Sequence, residues 1–453
     1  MKTRPTRPSA PMRETGTVRE EARDTPILTE TDVVVCGGGP AGIGAALAAA
    51  RNGARTLVLE DQICLGGMAT SGMLNRLGPY HDQREMIVGG IPMEILRTLV
   101  QRGMAKEPHP CSPDDVENYW VAFDPEAMKL LLDEKVEEAG AEVLFKTLVV
   151  GVVVRDGKWL KGVLVETKSG RYAILARIVV DATGDGDVAA RAGADFRLGR
   201  DGDGLVQPVT LMSKVLNEDW AIAYPYVNSH QEQLLPLAAK RGNDFVWAGM
   251  DNILRAEETY YNGVHVHRID GTDVRDITRA AIEMRRKLWR NLEVLREHVP
   301  GCARASMCAT ASLLGVRESR RIIGDYVLTI EDVLEGRQFA DQIARYSCYV
   351  DIHQIDPKQK QSPYAGRRLE PGVSYGLPYR CLLPRGVENL LVVGRCFSAT
   401  HEALASARMI PACMAMGEAA GTAAALSLKA DVSPRALDRN DLRCRLKSQG
   451  VLL

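Results

Sequence analysis

The sequence has no C-x-x-C pair among its ten cysteines, and the two closest are Cys302 and Cys308. This absence argues against a dithiol redox centre, a zinc ribbon or an iron–sulfur cluster. Several cysteines, such as Cys36, Cys381 and Cys413, lie in apolar runs, where free cysteine behaves as a small hydrophobic residue. The pattern is typical of a protein of the reducing cytoplasm.

The chain also lacks an excess of charge and a long apolar run. Its 57 basic and 58 acidic residues give a formal net charge of -1, which argues against broad binding to nucleic acid or an anionic membrane. No transmembrane stretch and no apolar region of a signal peptide are evident. Residues 1–27, rich in Pro, Arg, Thr and Glu, are predicted to be a disordered tail. We therefore expect a cytoplasmic protein that acts on a small molecule.

What the sequence does contain is a short apolar run that ends abruptly in glycines. The run Val33–Cys36 leads into Gly37, Gly39 and Gly42, and the small residues from Ile43 to Ala50 favour a helix. Strand, turn and helix together match the G-x-G-x-x-G dinucleotide fingerprint. The first glycine allows the tight turn, the second lets a pyrophosphate approach the backbone, and the third lets the helix pack close to the strand.

A second strand gives this fingerprint its context. Thr56–Leu59 ends at Glu60, about 20 residues after the glycines, where a carboxylate accepts hydrogen bonds from ribose hydroxyls. An ordinary glycine-rich turn would leave both the triple glycine and the placed glutamate unexplained. The pair Gly66 and Gly67, just beyond, suits another close approach to a cofactor, although a flexible loop is the alternative.

The following segments predict the rest of an α/β domain. A helix with Asp124 as its N-cap and Gly140 at its end leads to a third parallel strand, Glu142–Phe145. Strands separated by tight turns then form an antiparallel β-meander, with the segments Leu148–Arg155, Trp159–Thr167 and Ala176–Asp181. The predicted fold class is α/β, a Rossmann-like domain with a parallel sheet plus this meander.

The remainder of the chain suggests an insertion. Residues 196–378 are less regular and contain one long amphipathic helix, from about Asp273 to His298. We interpret 196–378 as an inserted α+β substrate domain, between a first part of the cofactor domain at 28–195 and its C-terminal part at 379–453. In that last part, Tyr379–Leu383 and Asn389–Val393 have the texture of strands, and a final helix runs from about Ile410 to Leu428.

Three segments of the sequence run from a predicted strand into a glycine turn: VVVCGGGPAG, IVVDATGDGD and LLVVGRC. In this order they resemble the FAD-dependent oxidoreductases of the glutathione-reductase-like superfamily, a family related to the flavoproteins of fumarate reductase and succinate dehydrogenase. The segments LGGMATSG, GVRESRRIIGDY and GRCFSATHEALASARMIPACMAMGEAAGTAAAL are similar to signatures of that family. The resemblance covers about Thr31 to Leu453 and implies an FAD-binding domain and oxidoreductase activity.

The resemblance also implies cofactor contacts. The phosphate and ribose end of FAD would be held by the fingerprint and Glu60, and the adenine by Val149. Gly67, Met68 and Ala69 would line the ribityl and flavin, and Gly394 and Arg395 would lie along the ribityl and phosphate. The N-terminus of the last helix would face the flavin N1–C2=O edge, where reduced flavin carries negative charge. The implied cofactor residues are Gly37, Gly39, Pro40, Ala41, Gly42, Glu60, Gly67, Met68, Ala69, Val149, Thr183, Gly184, Asp185, Gly394, Arg395, Met409 and Ile410.

Four residues are candidates for the chemistry. His401, between the GRC turn and the last helix, could bind substrate or carry a proton, or it could simply hold its loop. Arg317, Arg321 and Arg408 suit recognition of a carboxylate, with structural salt bridges as the alternative.

Other histidines are weaker candidates. His265 and His267 would share one face of a strand, a spacing that can hold a metal, but no third ligand is evident, so no metal site is predicted. His81 could lie at the substrate face of the flavin.

We expect an FAD-dependent oxidoreductase that transfers a hydride between a small polar metabolite and the flavin, with an unidentified electron acceptor or donor. A flavin monooxygenase is one alternative, although a second G-x-G-x-x-G for NAD(P)H is missing. A non-catalytic or tRNA-associated flavoprotein is disfavoured by the neutral net charge. A plain NAD-binding dehydrogenase is the remaining alternative.

Overall fold

The structure is a computed structural model that describes residues 16–243, 250–251, 258–356 and 358–453. The predicted tail therefore lies partly outside the described residues, and residues 16–26 form no regular element and are mostly exposed. The first strand begins at Ile27.

The strands are β1 (Ile27–Cys36), β2 (Thr56–Leu59), β3 (Glu142–Leu144), β4 (Leu148–Arg155), β5 (Trp159–Thr167), β6 (Gly170–Asp181), β7 (Phe196–Leu198), β8 (Val209–Thr210), β9 (Ser213–Leu216), β10 (Met250–Asp251), β11 (Glu258–Tyr261), β12 (His265–Val266), β13 (Ser306–Thr310), β14 (Arg320–Ile322), β15 (Gln342–Tyr346), β16 (Tyr375–Pro378) and β17 (Leu390–Val392). The helices are α1 (Pro40–Arg51), α2 (Gly90–Gln101), α3 (Val116–Tyr119), α4 (Pro125–Ala139), α5 (Asp187–Arg191), α6 (Trp220–Ser229), α7 (Gln231–Lys240), α8 (Val274–His298), α9 (Ile330–Leu334), α10 (His401–Ala407), α11 (Ile410–Ala430) and α12 (Arg439–Ser448).

A parallel sheet organises the molecule. Its strands lie in the order β3-β2-β1-β6, and β17 pairs with β6 in parallel. The carboxyl ends of all these strands meet at one edge of the sheet, which is where doubly wound sheets bind ligands. This confirms the predicted Rossmann-like fold, with α1 forming the crossover between β1 and β2.

Strand β6 joins the parallel sheet to the β-meander. Its first half pairs antiparallel with β5, from Gly170 to Leu175, and β5 pairs antiparallel with β4. Its second half runs beside β1 and, through Val179–Asp181, beside β17. The predicted meander is therefore confirmed, but its third strand is Gly170–Leu175, and the predicted Ala176–Asp181 belongs to the parallel sheet.

Strand β1 is buried on both faces, as a central parallel strand should be. Val33 and Val35 pack into the large core that contains α1, α4 and α11. Val34 and Cys36 point to the opposite face, into a second core formed with the meander and α5. The apolar run therefore has no polar face, in agreement with the sequence.

Helices α1 and α11 pack with almost no space between their backbones. A Cβ on Gly44 would lie 2.2 Å from the Met414 carbonyl oxygen, and one on Gly417 would lie 1.9 Å from the Ala41 oxygen. Gly421 makes the same close approach to Ala45. The small residues of both helices are thus required by this contact, which places Gly417, in the first half of α11, beside the start of α1.

The region from β8 to β13 builds two cores of its own. One lies around α6, α7 and the C-terminal half of α8, and the other around β8, β12 and the N-terminal half of α8. Helix α8 begins after the N-cap Asp273, as predicted, and α4 likewise begins after Asp124. The later strands β15 and β16 pack instead into the large core with α11.

One element of the C-terminal part differs from the prediction. Tyr379–Leu382 forms a 3-10 helix, so the predicted strand there is wrong; the strand is β16, which ends at Pro378. Among the described residues, no single helix has both the length and the apolar character of a membrane span, and only α10 and α11 taken together, bent by 93°, reach them.

Candidate functional site

A cavity of about 600 Å³ follows the carboxyl edge of the parallel sheet. Its walls come from the strand ends, from the loop after β2, from residues between 196 and 378 and from the start of α11. The residues that line it include Gly37, Gly39, Pro40, Ala41, Glu60, Gly67, Met68, Arg76, Trp120, Val149, Thr183, Gly184, Asp185, Trp220, Tyr224, Arg317, Tyr349, Asp351, His353, Gly394, Arg395, Arg408, Met409 and Ile410.

The fingerprint glycines lie at one end of this cavity. Gly37 has a φ of +104°, and a Cβ there would lie 2.5 Å from the Ala182 oxygen. A Cβ on Gly42 would lie 1.8 Å from the Gly37 oxygen, so this glycine packs the helix against the turn. A Cβ on Gly39 would meet nothing within 4 Å, because this glycine faces open space at the N-terminus of α1. That surface suits a phosphate group.

Glu60 lies in the cavity wall at the same end as the fingerprint glycines. Its carboxylate accepts hydrogen bonds from the backbone N–H of Gly38 at 2.7 Å and of Gln62 at 2.9 Å. Burial raises the pKa of Glu60 to about 7, although these two N–H donors oppose the shift. Its position at the cavity wall leaves it able to accept further hydrogen bonds from hydroxyl groups.

The loop after β6 is fixed by a network of polar contacts. Asp185 accepts hydrogen bonds from Arg395 Nη2 at 2.8 Å and from Ser319 Oγ at 2.6 Å. Arg395 also donates to Ser319 Oγ at 2.8 Å. Gly184, with a φ of +76°, brings the loop backbone close to the Arg395 guanidinium. Hydrogen bonds therefore join the glycine-containing segments that follow β6 and β17 at the cavity.

At the opposite end, two arginines face one aspartate. Arg408 donates through Nη2 to Asp351 Oδ2 at 2.9 Å, and its buried Nε has no hydrogen-bond partner among the described residues. Arg317 is buried and donates to the Pro208 carbonyl oxygen at 2.7 Å. Burial and the charge of Arg408 lower the pKa of Arg317 to about 9. The positive charge at this end exceeds what Asp351 compensates.

His353 adds a titratable group to this end. Its Nε2 lies 3.4 Å from Asp351 Oδ1, and its ring centroid lies 5.0 Å from that of His265. Burial and the charge of Arg317 lower the pKa of His353, although Asp351 opposes the shift. Burial alone would raise the pKa of Asp351, but His353, Arg408 and Arg317 together hold it well below its usual range. The pair is thus a carboxylate beside a neutral imidazole.

Aromatic rings complete the wall beside this polar group. Trp120 and Tyr349 meet edge to face, with ring centroids 5.8 Å apart. Trp220 and Tyr224, from α6 of the inserted region, stack at 4.7 Å and also line the cavity. One end of the cavity therefore suits phosphates and sugars, and the other suits a planar ring beside an anion.

Comparison with known proteins now identifies the class. The model of a family described as FAD dependent oxidoreductase matches residues 32–446. The chain belongs to that family. It is therefore an enzyme with FAD as its cofactor, and the match covers both the parallel sheet and the inserted region.

Individual relatives are similar only in part. Thiamine thiazole synthase of Methanococcus vannielii is 29% identical over 167 residues, which cover 35% of this chain and 57% of that protein. The enzyme of the same name from Saccharolobus islandicus is 30% identical over 176 residues, 37% of this chain and 60% of that protein. The chain thus spans less than two thirds of the length of these curated relatives.

Solved structures with similarity include a geranylgeranyl bacteriochlorophyll reductase-like protein from Thermoplasma acidophilum. It is 14% identical, with a TM-score of 0.48, over 93% of this chain and 83% of that chain. Thermovibrio ammonificans THI4 is 25% identical, with a TM-score of 0.29, over 38% of this chain and 66% of that chain.

The residues of the cavity fit FAD. The open face of Gly39 and the start of α1 would hold the pyrophosphate, and Glu60 would hold the adenosine ribose. Val149, from the meander, lies beside Glu60 in the cavity wall. Met409 and Ile410, at the N-terminus of α11, would face the negative edge of the reduced flavin. Of the predicted cofactor residues, Gly42 and Ala69 do not line the cavity but support the residues that do.

The predicted catalytic residues divide into two groups. Arg317 and Arg408 line the cavity, whereas His401 and Arg321 do not. His401 is buried, and its Nδ1 lies 2.8 Å from Glu318 Oε2. Arg321 pairs with the same Glu318 and also donates to backbone oxygens of Ala399 and Gly199. These two residues form a buried ion network that joins the GVRESRR segment to α10, and the catalytic role predicted for them has no support from this geometry.

His267, His265 and His81 have separate partners. His267 Nδ1 lies 3.0 Å from the Ile355 oxygen, and His265 Nε2 lies 3.4 Å from Arg317 Nη2. His81 is buried outside the cavity wall, with its ring 5.6 Å from that of Tyr119. The predicted role of His81 at the flavin is therefore not supported.

Several residues of the site were not predicted. Tyr349, Asp351 and His353 alternate along one segment without regular secondary structure, and this spacing of two in the sequence was the signal that could have found them. Arg76 and Trp120, from separate loops, carry no such pattern. Their place at the cavity depends on the tertiary fold alone.

Proposed function

We propose that this enzyme transfers a hydride between the flavin and a small polar metabolite that carries a carboxylate or a similar anionic group. The observation that carries the proposal is the buried Arg408 Nε without a hydrogen-bond partner among the described residues, at a cavity end where Arg317 adds a second positive charge. Guanidinium groups bind carboxylates through paired hydrogen bonds.

The division of labour follows from this arrangement. Bound FAD supplies the hydride acceptor or donor, and the protein residues bind the substrate and handle its proton. Arg408 and Arg317 orient the anionic group. An Nε2–H of His353 directed at Asp351 leaves Nδ1 as the nitrogen that can accept a proton. Nδ1 of His353 would accept the O–H or N–H proton of the substrate in the oxidative direction and would return it in the reverse direction.

We also infer that the inserted region, residues 196–378, is the substrate domain. It contributes Arg317, Asp351 and His353 to the cavity, whereas the fingerprint, Gly394 and Arg395 come from the flanking segments. The glutathione-reductase-like superfamily remains our inference for the wider relationship. It is supported by the meander between β3 and β6 and by the return of β17 to the sheet.

The test is anaerobic reduction of the bound flavin by a panel of matched compounds. Hydroxy acids, amino acids and unsaturated acids are compared with their amides and esters, and flavin absorbance is followed. We expect bleaching, or reoxidation of reduced flavin, only with the acids. Arg408→Gln should weaken this response at least tenfold, because each lost charged hydrogen bond costs about 1.5–3 kcal/mol.

The control variant is Arg385→Gln, which alters an exposed arginine away from the cavity. Equal responses to acids and amides would contradict the proposal. Flavin reduction by NADPH alone, with oxygen uptake that depends on an uncharged aromatic substrate, would favour a monooxygenase instead.

A further inference from the structure

A second group of chemically competent side chains lies outside the FAD cavity. His109, Cys111 and Asp115 follow one another in the loop between α2 and α4, and the ligand atoms that they offer all lie within 4.8 Å of one another. His109 is exposed, and Cys111 and Asp115 are half-buried. None of the three lines the FAD cavity.

We propose that His109, Cys111 and Asp115 form a binding site for a divalent transition metal of the zinc type. A thiolate, an imidazole and a carboxylate are the three donors that zinc prefers, whereas magnesium and calcium select oxygen alone. Ligand atoms bound to zinc at about 2.0–2.3 Å lie about 3.5 Å from one another in a tetrahedron. The three groups therefore need to close by about an ångström, a small movement for loop side chains.

The neighbour of the cysteine supports this assignment. His81 Nε2 lies 3.7 Å from Cys111 Sγ, and His81 Nδ1 accepts a hydrogen bond from the Gln83 N–H at 3.1 Å. Because Nδ1 is the acceptor, the ring proton of neutral His81 is on Nε2 and faces the sulfur. A donor in this position stabilises a thiolate ligand and belongs to the outer shell of the metal. Three protein ligands then leave the fourth position for water.

A metal bound at this site would hold part of the cavity wall in place through α3. Asp115 directly precedes α3, and its carboxylate accepts hydrogen bonds from Asn118 Nδ2 at 2.9 and 3.1 Å. The last residue of this short helix, Tyr119, stacks on Tyr349, and the next residue, Trp120, lines the cavity. A metal that links the two ends of the 109–115 segment would therefore fix the aromatic wall. We infer a structural metal, separate from the flavin chemistry.

The first test is titration of the FAD-loaded protein with Co²⁺ under reducing, anaerobic conditions. Cobalt is a spectroscopic substitute for zinc, and thiolate ligation gives a near-ultraviolet charge-transfer band in the difference spectrum. We expect one Co²⁺ per chain with this band. Cys111→Ser should abolish the band, and the exposed His109→Ala should weaken cobalt binding at least tenfold.

The matched controls are Cys308→Ser and Cys444→Ser, which remove the exposed cysteines. Both should keep the cobalt band. Absence of a thiolate band in the unmodified protein, or a band that survives Cys111→Ser, would overturn the proposal.

The second test uses zinc itself. The dialysed protein is analysed for bound metal, and thermal unfolding is followed with and without added Zn²⁺. A metal that binds only the folded state raises Tm. We expect a rise in the unmodified protein and in Cys444→Ser, and none in Cys111→Ser or His109→Ala. A rise of equal size in all four proteins would assign the effect to another site and reject this one.

Discussion

Arg408 and Asp351 are joined at the cavity by one guanidinium nitrogen. The Nη2 of Arg408 donates to the Asp351 carboxylate at 2.9 Å and to the Asp351 backbone oxygen at 3.0 Å. The other carboxylate oxygen, Oδ1, faces His353 Nε2 at 3.4 Å. Asp351 therefore contacts both the arginine that we propose binds an anion and the histidine that we propose accepts a proton.

Replacement of Asp351 with Asn tests this double role. The loss of its negative charge lowers the pKa of His353 further, because Asp351 is the group that raises it against burial and Arg317. If oxidation requires neutral His353, the acidic limb of the pH profile of kcat should move to lower pH by about one unit or more. KM for an anionic substrate should not increase, since the cavity gains net positive charge.

The measurement is a pH profile of flavin reduction by stopped flow, with kcat and KM separated. A residue with a merely structural role would leave the position of the acidic limb unchanged. An unshifted limb would contradict the effect of Asp351 on His353, and an increased KM would show that the loss of its contact with Arg408 outweighs the added positive charge.

Replacement of His353, which lines the cavity, and of His401, which the sequence placed near the flavin, should give opposite phenotypes. His353→Gln removes the group that accepts the proton, so substrate-driven flavin reduction should fall by about 10²–10⁴ while FAD stays bound. His401→Gln removes a buried partner of Glu318, which should cost about 1–3 kcal/mol of folding free energy and leave reduction of the folded enzyme intact.

Stopped-flow reduction and chemical denaturation of both variants separate these effects. The sequence alone favoured His401 because it lies between the GRC turn and the last helix. Loss of reduction in His401→Gln, with normal stability, would assign His401 a role in the chemistry, and normal reduction in His353→Gln would remove His353 from the mechanism.

The contrast between these histidines shows what could be predicted. The βαβ unit, the meander, α4, α8 and α11 follow local patterns, namely glycine turns, alternation and caps such as Asp124 and Asp273. The cofactor end of the site is encoded by one contiguous motif and by strand endings that a parallel sheet must bring to one edge. These parts were therefore accessible from the sequence.

The residues at the proposed substrate end of the cavity could not be predicted from the sequence in the same way. Arg408 meets Asp351 only because the segment that carries Asp351 packs beside the start of α11, a long-range contact that has no local signature. The difference between Arg317 and Arg321 also depends on tertiary structure, since Glu318 holds Arg321 away from the cavity. The strand predicted at Tyr379–Leu383 was wrong because a short apolar run does not distinguish a strand from a helical turn.

Two glycines at the start of α1, the N-cap Gly39 and Gly44, offer a matched pair of variants. Gly39→Ala adds a methyl group in open space at a φ of -69°, so the apoprotein should lose less than about 1 kcal/mol of stability. The same methyl group would stand where a pyrophosphate must approach, so FAD affinity should fall at least tenfold. FAD retention after gel filtration and fluorescence titration of the apoprotein measure this loss.

Gly44→Ala should behave in the opposite way. Its Cβ would lie 2.2 Å from the Met414 oxygen, which forces α1 and α11 apart and should cost about 1–3 kcal/mol or more. The loss should be visible as a lower denaturation midpoint of the apoprotein. Equal FAD affinity in Gly39→Ala and the unmodified protein would contradict the proposed position of the phosphates.

The inserted region contains a buried acid that should make stability depend on pH. Glu218 Oε2 accepts a hydrogen bond from Thr259 Oγ1 at 2.7 Å and another from the Tyr261 hydroxyl, while Oε1 has no partner among the described residues. Burial raises the pKa of Glu218 to about 7 from its ordinary 4.5, against the effect of these two donors.

A folded-state pKa above the unfolded one means that the folded protein binds the proton more tightly. The stabilisation by protonated Glu218 is therefore complete below about pH 4.5 and is lost as the pH rises to about 7, with a total change of up to about 3 kcal/mol. Glu218→Gln should flatten the fall of the urea midpoint between pH 5 and pH 8, whereas Glu232→Gln, on the exposed face of α7, should keep it. An unchanged slope in Glu218→Gln would show that the Glu218 carboxyl does not titrate between these pH values, and that its two hydroxyl donors stabilise the charged form as well as water does.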